Sequence, residues 1–192
     1  NADAGSLFLV GTIDLPIGKE DESGQATRIR SRWLRFRLAQ NDSRDFSYEE
    51  GILEITPASI AGYVAQSGKT VNLEDAYSIP PGMPFTINRT FDETTGYRTR
   101  SVLVVPMLNH VGETIGVLQL INKKRDWTVR LTTPESFEND VLPFGPSDEE
   151  VIRSLASQAA VCVERSKLET RIERLFDEFV EASVRAIESR DP

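Results

Sequence analysis

Apolar positions along this chain fall into short β-prone runs in the first two thirds and into one long helical stripe at the end. The run Ser6-Leu7-Phe8-Leu9-Val10-Gly11-Thr12-Ile13 ends in a polar stretch holding Pro16, Gly18 and Gly24, and it predicts a strand. Trp33 to Leu38 alternates, which places Leu34, Phe36 and Leu38 on one face and Trp33, Arg35 and Arg37 on the other. The polar linker between the two runs suits a long hairpin loop. Ser59 to Gly68 carries a helix's punctuation: Ser59 caps, Ile60, Tyr63 and Val64 share a face, and Gly68 takes the left-handed position after the last turn. Thr70 to Leu73 predicts a short strand.

Residues 74–100 hold Pro80, Pro81, Pro84, Gly82 and Gly96 and predict a long functional loop with one turn of helix within Asn88–Thr95. Ser101–Asn109 and Thr114–Lys123 are β-branched runs at hairpin spacing and predict the centre of a sheet. Residues 125–147 read as an irregular insert broken by Pro134, Pro143 and Pro146. A helical pattern then fills Ser147 to about Ser189, with Ser147 and Glu150 spaced as a capping box. Its first half bears a broad stripe of Val151, Ile152, Leu155, Ala159, Cys162 and Val163, suited to packing on a sheet. Its second half narrows to Leu168, Ile172, Leu175, Phe179, Ala182 and Ala186, the alternating spacing of a two-chain seam. A rod of ~40 residues spans ~60 Å, so this half overshoots a small domain and predicts a homodimer through the C-terminal helix.

Composition narrows the classes. The chain has 192 residues with 22 Lys+Arg against 30 Asp+Glu, a formal charge of −8, and a balance ordinary for a globular domain. That charge disfavours nucleic acid as a partner, since polyphosphate affinity comes mostly from Lys and Arg. The longest apolar stretch, Val102 to Leu108, falls far short of the ~18–20 residues of a membrane span. A lone Cys162 and a lone His110 supply neither a disulfide nor a His/Cys metal cluster, and the cysteine usage predicts a reducing, cytoplasmic setting. The start, Asn1-Ala2-Asp3-Ala4-Gly5, has no initiator Met or leader and reads as a cut that removes an N-terminal helix.

Three blocks together resemble a known family: Ile60-Ala61-Gly62-Tyr63-Val64-Ala65 with Gly68, Val71 to Tyr77, and Asp92 to Leu103. They are similar to GAF domains, most of all the regulatory GAF domains of cyclic-nucleotide phosphodiesterases. The family's Asn-Lys, Phe, Asp-Glu signature is matched by Asn122-Lys123, Phe144 and Asp148-Glu149. The resemblance implies an α+β GAF fold over residues 1–165, with a central antiparallel sheet of about six strands, helices packed on it and a long C-terminal helix. It also implies that Lys123 pairs with Asp148, clamping the sheet to that helix. For a small-molecule ligand, a cyclic nucleotide among them, it implies contacts from Ile60, Ala61, Asp92, Thr95, Thr99 and Gln119. Asn88 stands where nucleotide-binding relatives carry a stacking aromatic, and Gln119 where some carry Glu. Residues 166–192 form a coiled-coil signalling helix in this reading, and Phe179 to Pro192 resembles the lead-in to HD-type, especially HD-GYP, phosphohydrolases. That tail implies a bacterial parent protein with a metal-dependent phosphodiesterase output, cyclic di-GMP being a candidate substrate. The fragment itself carries no catalytic, metal or cofactor residues in this reading.

Other features have plainer readings beside the functional ones. Arg28, Arg30, Arg32, Arg35 and Arg37 suit an anionic ligand or acidic partner, or else a solvated strand face answered by Asp42, Asp45, Glu49 and Glu50. Trp33 suits an apolar edge. Cys162, on the predicted packing stripe, reads as a small core hydrophobe rather than a redox or pigment-binding thiol. His110 reads as an exposed turn residue, and Asp92-Glu93 and Asp148-Glu149-Glu150 as acids without the partners of a hydrolytic site. Two functions follow: a ligand-sensing regulatory module, or a ligand-free dimerisation spacer whose pocket is filled by its own side chains.

Overall fold

The computed structural model describes residues 1–17, 27–44 and 51–188. Its strands are β1 (Ala2–Ile17), β2 (Thr27–Asn41), β3 (Ile52–Glu54), β4 (Val71–Leu73), β5 (Val102–Leu108), β6 (Thr114–Lys124) and β7 (Val141–Leu142). They form one antiparallel sheet in the order β3-β2-β1-β6-β5-β4, with β7 paired to the end of β6. The helices are α1 (Ile60–Ser67), α2 (Thr90–Thr95), α3 (Pro134–Asn139) and α4 (Pro146–Glu188). The architecture is the expected α+β one.

β5 shows why the sheet organises the molecule. Val102 and Val104 point into a core under α1, together with Phe8, Leu34, Val64, Phe85 and Val117. Leu103, Val105 and Met107 point the other way into a second core against Phe144, Ala156 and Ala160. A strand covered on both faces reads as a continuous apolar run, and this one does.

α1 is built by local chemistry. The Ser59 side chain accepts from the Gly62 N–H and Gly68 closes the helix at φ 65°. Gly62 has a second reason to be glycine, because a Cβ there would lie 2.2 Å from the Thr56 carbonyl oxygen. Thr56 and α1 therefore approach more closely than any side chain permits.

Four expectations are corrected. Leu38 does not join Leu34 and Phe36 but is 64% exposed. The β1–β2 register steps between Leu7↔Leu38 and Phe8↔Phe36, leaving Arg37 as an extra residue, and such a bulge turns every later side chain to the opposite face. The insert is not irregular. It holds α3 and β7, and buries Leu131, Phe137 and Val141 against Tyr97. α4 begins one residue early, so Ser147 is not its cap: Asp148 reaches back to accept from the Gly145 N–H at 2.7 Å, the carboxylate arm of a capping box shifted by two residues. Finally, α4 packs through Ile152, Ala156, Ala159, Ala160 and Val163, whereas Val151, Leu155 and Cys162 are exposed. The five-residue packing stripe is narrow because small alanines let the helix lie close to β5, which turns its flanks to solvent.

The arginine-rich strand divides similarly. Arg32 donates to the Thr114 carbonyl at 2.8 Å, while Arg35 and Arg37 are exposed. The side chains of Arg28 and Arg30, and residues Asp45, Glu49 and Glu50, lie outside the described residues. Trp33 is half-buried, its Nε1 without a partner among the described residues. Along the second half of α4, Leu168, Ile172, Leu175 and Phe179 are between 53% and 69% exposed. The side chain of Ala186 and residues 189–192, with the end of the Phe179–Pro192 block, lie outside the described residues. Among those described, no helix is long and apolar enough to cross a membrane.

Candidate functional site

Between the α1 face of the sheet and the 74–100 segment lies a cavity of ≈ 290 Å³. Its floor comes from β1, β5 and β6, through Phe8, Val102, Gln119 and Ile121. Its walls are the start of α1, at Ser59, Ile60 and Ala61, and the Thr86–Asp92 stretch leading into α2. A larger hollow of ≈ 650 Å³, lined by Lys69, Glu149 and Arg153, lies between α4 and the β4–β5 edge and holds none of the expected ligand residues.

The structure gathers Ile60, Ala61, Asp92, Thr99 and Gln119 at this cavity. Thr95 is not among the lining residues. Its hydroxyl donates to the Phe91 carbonyl at 2.7 Å and accepts from the Tyr97 N–H, because it occupies the last turn of α2, where backbone groups compete for it. Asn88, the expected substitute for an aromatic, does line the cavity, and its Oδ1 accepts from the Thr90 N–H.

Asp92 and Thr99 meet the cavity in a different state from the expected one, because they hold each other. Asp92 is 6% exposed. Its Oδ2 accepts from the Thr99 N–H at 2.7 Å and from the Tyr77 hydroxyl at 2.9 Å, and its Oδ1 accepts from the Thr99 hydroxyl at 2.9 Å. A buried carboxylate with three donors fixes α2 to the strand that leaves the loop.

Around it the loop is closed by a second set of residues. Asp75 accepts two bonds from Arg98 at 2.8 and 2.9 Å and one from the Tyr77 N–H at 2.8 Å. The Tyr77 ring lies between the guanidinium of Arg89 at 3.9 Å and that of Arg98 at 3.6 Å, two cation–π contacts on one ring. Partial burial raises the Asp75 carboxyl, but the Tyr77 N–H and Arg98 outweigh it, and the net pKa lies below the usual carboxylate range. Burial and the Asp92 carboxylate together raise the Tyr77 phenol. Sequence reasoning gave no role to Asp75, Tyr77, Arg89 or Arg98; three of them sit in the quoted blocks, and the signal lay in acids and arginines bracketing a loop of twenty-odd residues.

The end of β6 links the cavity to α4. Asn122 does not belong to the clamp itself. It is buried at φ 55°, its Oδ1 accepts from the Arg100 N–H at 2.8 Å and its Nδ2 donates to the Arg98 carbonyl at 2.8 Å, so it pins the exit of the loop. Asparagine tolerates that left-handed backbone better than most residues. One residue on, the Lys123 ammonium donates to Asp148 at the start of α4. Partial burial raises the Asp148 carboxyl, but Lys123 and the Gly145 N–H outweigh it, and the net pKa lies below the usual carboxylate range. Phe144 is buried in the α4 core and its carbonyl accepts from Asn72 Nδ2, whereas the Glu149 carboxylate lies 4.0 Å from Arg153.

Lys124 points the other way and is almost fully buried. Its ammonium reaches Asp42 at 3.2 Å, Asp3 at 3.4 Å and the carbonyls of Trp127 and Val129. Asp3, itself buried, also accepts from the Ser43 hydroxyl and from the Tyr97 hydroxyl at 2.8 Å. Burial and the Asp3 carboxylate raise the Tyr97 phenol strongly. This network roots the insert, and Tyr97 connects it to the cavity wall.

His110 is exposed in the β5–β6 turn, 3.4 Å from Glu164, and Cys162 lies on α4, across the sheet from the cavity. Among the described residues no group of three His, Cys, Asp or Glu is placed to hold a metal.

The GAF domain family profile matches residues 1–163. The chain is 37% identical over 125 residues to the dual 3′,5′-cyclic-AMP and -GMP phosphodiesterase 11 of Drosophila melanogaster, covering 64% of this chain and 8% of that protein. It is 29% identical over 171 residues to the cGMP-specific 3′,5′-cyclic phosphodiesterase of Drosophila virilis, covering 88% of this chain and 16% of the relative. The chain therefore spans less than a fifth of these relatives. The GAF domain from a phosphoenolpyruvate-protein phosphotransferase of Coxiella burnetii shares the fold, with a TM-score of 0.53 at 18% identity, over 88% of this chain and 76% of that one.

Proposed function

The chain belongs to the GAF domain family, and on that premise we propose that it is a regulatory module that senses a small molecule in the cavity beneath residues 74–100 and passes the signal into α4. The observation that carries this reading is continuity. Gln119 and Ile121 line the cavity, Asn122 holds the loop exit, and Lys123 holds the start of α4, all within five residues of β6. A ligand that favours one arrangement of the loop thereby biases the helix, which is what coupling between two sites requires.

Residues 1–165 form the sensory unit in this proposal and residues 166–192 the signalling helix. The exposed Leu168, Ile172, Leu175 and Phe179 form the seam of a parallel homodimer, since an apolar stripe of that spacing is stabilised by a partner. The parent protein carries a metal-dependent phosphohydrolase output of the HD type after Pro192, a reading supported by the Phe179–Pro192 resemblance. Cyclic nucleotides are the first ligands to test, because the two Drosophila relatives are cyclic-nucleotide phosphodiesterases. A second reading, a ligand-free dimerisation spacer, is favoured by the hydrogen bonds that Asp92 and Thr99 make to each other.

Thermal melting of the chain against cGMP, cAMP, cyclic di-GMP and a panel of common metabolites decides between the two. Selective binding to the native state raises the melting temperature by mass action. A saturable rise with one compound, abolished by filling the cavity with Ala61→Trp, supports the sensor; no rise with any compound supports the spacer.

A further inference from the structure

α4 covers only half of the sheet face on which it packs. It lies over β5 and β6, and among the described residues no element covers β1, β2 and β3 on that side. Leu7 and Leu9 of β1 face α4. Their register carries Leu38, opposite Leu7, and Arg35, opposite Leu9, to the same face, with Trp33 opposite Gly11 beside them. The bulge that takes Leu38 out of the core under α1 thus places it here, 64% exposed. Ile52, paired with Arg35, is 48% exposed. Leu9, Trp33, Arg35, Arg37 and Ile52 line a hollow of ≈ 290 Å³ on this floor.

α4 adds a wall. Successive helical residues turn by ~100°. Ile152, Ala156, Ala160 and Val163 point at the sheet, while Glu149, Arg153 and Ser157 face the β4–β5 edge. Val151, Leu155 and Cys162 therefore stand on the opposite flank, towards β1, where all three are exposed. Phe176, Val180 and Val184, also exposed, continue that flank along the second half of α4. From Val151 to Val184 it runs ~50 Å, and it lies ~100° round the helix from the Leu168–Phe179 seam, so a partner at that seam leaves it open. A straight apolar stripe with a period of about 3.6 residues, beside an apolar floor, matches the side of a second helix.

Charge sets what that helix carries. Arg35 and Arg37 are exposed on the floor and form no ion pair among the described residues, and the buried Trp33 Nε1–H beside them has no acceptor there. A carboxylate at the edge of a docked helix supplies acceptors to these donors. His110 in the β5–β6 turn lies 3.4 Å from Glu164, so α4 leaves the sheet near that residue. Glu173, on the same flank, stands ~14 Å further along the helix and calls for a base. We propose that the uncovered face of β1–β3 and the adjoining flank of α4 form a docking trough for an amphipathic helix of a partner protein. That helix is apolar on one side, with Glu or Asp where it crosses Arg35 and Arg37 and Lys or Arg where it passes Glu173. The trough lies across the sheet from the cavity, and its partner is independent of any ligand there.

The test uses a synthetic helix of about 33 residues, the length of the flank, with Leu and Ala on one face, Glu at the borders of one half and Lys at those of the other. It is titrated into the chain carrying Trp127→Phe, which leaves Trp33 as the reporting tryptophan. Trp33 emission moves to the blue, and this peptide binds about tenfold or more tighter than a version with Gln in place of every Glu. Arg35→Glu with Arg37→Glu removes that preference, and Leu155→Glu weakens binding about tenfold or more. Leu175→Lys with Phe179→Lys, on the separate seam, leaves it within about twofold. No change in Trp33 emission with either peptide, or equal affinity for the Glu and Gln versions, overturns the proposal. So does a Trp33 emission that reddens when the chain alone is diluted, because a second copy then fills the trough.

Discussion

Replacing Asp92 with Ala removes the acceptor on which the loop closes, and the structure allows the cost to be worked out. Three donors lose their partner: the Thr99 N–H, the Thr99 hydroxyl and the Tyr77 hydroxyl. A hydrogen bond to a charged group contributes ~1.5–3 kcal/mol, and an orphaned buried donor costs ~1–3 kcal/mol. Tyr77 still rests between Arg89 and Arg98 and reaches water readily, so its share is small. The two Thr99 donors are buried and share a residue, so their losses overlap rather than add. About 3–4 kcal/mol follows, which for a chain of this length lowers the melting temperature by about 10 °C. Asp92→Asn keeps one acceptor oxygen but turns an NH₂ group against a donor, and costs about 2 kcal/mol. Thr99→Val removes a donor and leaves the carboxylate two others, and costs about 1 kcal/mol. Urea denaturation of the three variants should give that order with unchanged m-values. An Asp92→Ala variant that melts within about 2 °C of the parent refutes the view that this carboxylate closes the loop.

Three further outcomes are expected. Lys124→Met strips the counter-charge from buried Asp3 and should cost ~3–5 kcal/mol by denaturant titration, with the Trp127 region losing hydrogen-exchange protection first. Asp148 and Asp75 have depressed folded-state pKa values, so the stability they contribute is fully present above the usual carboxylate range and is lost as pH falls through and below it. Asp148→Asn should therefore be less stable than the parent at pH 7 by no more than about 1 kcal/mol, given its partial exposure, and the gap should close in acid. Leu175→Lys with Phe179→Lys should sediment as a monomer with an unchanged melting transition for the β-sheet unit; a dimer that survives both lysines removes the proposed seam.

The sheet and α1 were legible because each is specified locally. β5 carries apolar residues to both faces, and Ser59 and Gly68 mark both ends of α1. The insert was not legible, because its order comes from a buried lysine that reaches it from β6 and from Arg100, which donates to the carbonyls of Phe137 and Glu138. Pro and Gly density reports local breakage and says nothing of such distant anchors. Leu38 was misread because one extra residue in a strand reverses every side chain beyond it, and alternation in sequence carries no mark of the bulge. Cys162 was misread because a broad helical stripe was expected where small alanines leave a narrow one.

The candidate site was legible as a neighbourhood and less so as chemistry. Resemblance brought Ile60, Ala61, Asp92, Thr99 and Gln119 to one cavity, but a motif states which residues stand together and not which are already bonded to each other. The partners of Asp92 come from positions seven and fifteen residues away, and only the folded loop shows them satisfied. Lys123 and Asp148 form the expected pair, while Asn122 acts on Arg98 and Arg100 instead, since adjacent residues in a strand point to opposite sides.

The central claim is that cavity, β6 end and α4 form one coupled unit, and hydrogen exchange of the chain with and without a saturating concentration of the compound that raises its melting temperature tests it most directly. The account predicts slowed exchange in residues 86–100, continuing through Asn122 and Lys123 into residues 145–160. Protection confined to the loop, with residues 145–160 unchanged in the liganded chain, contradicts it.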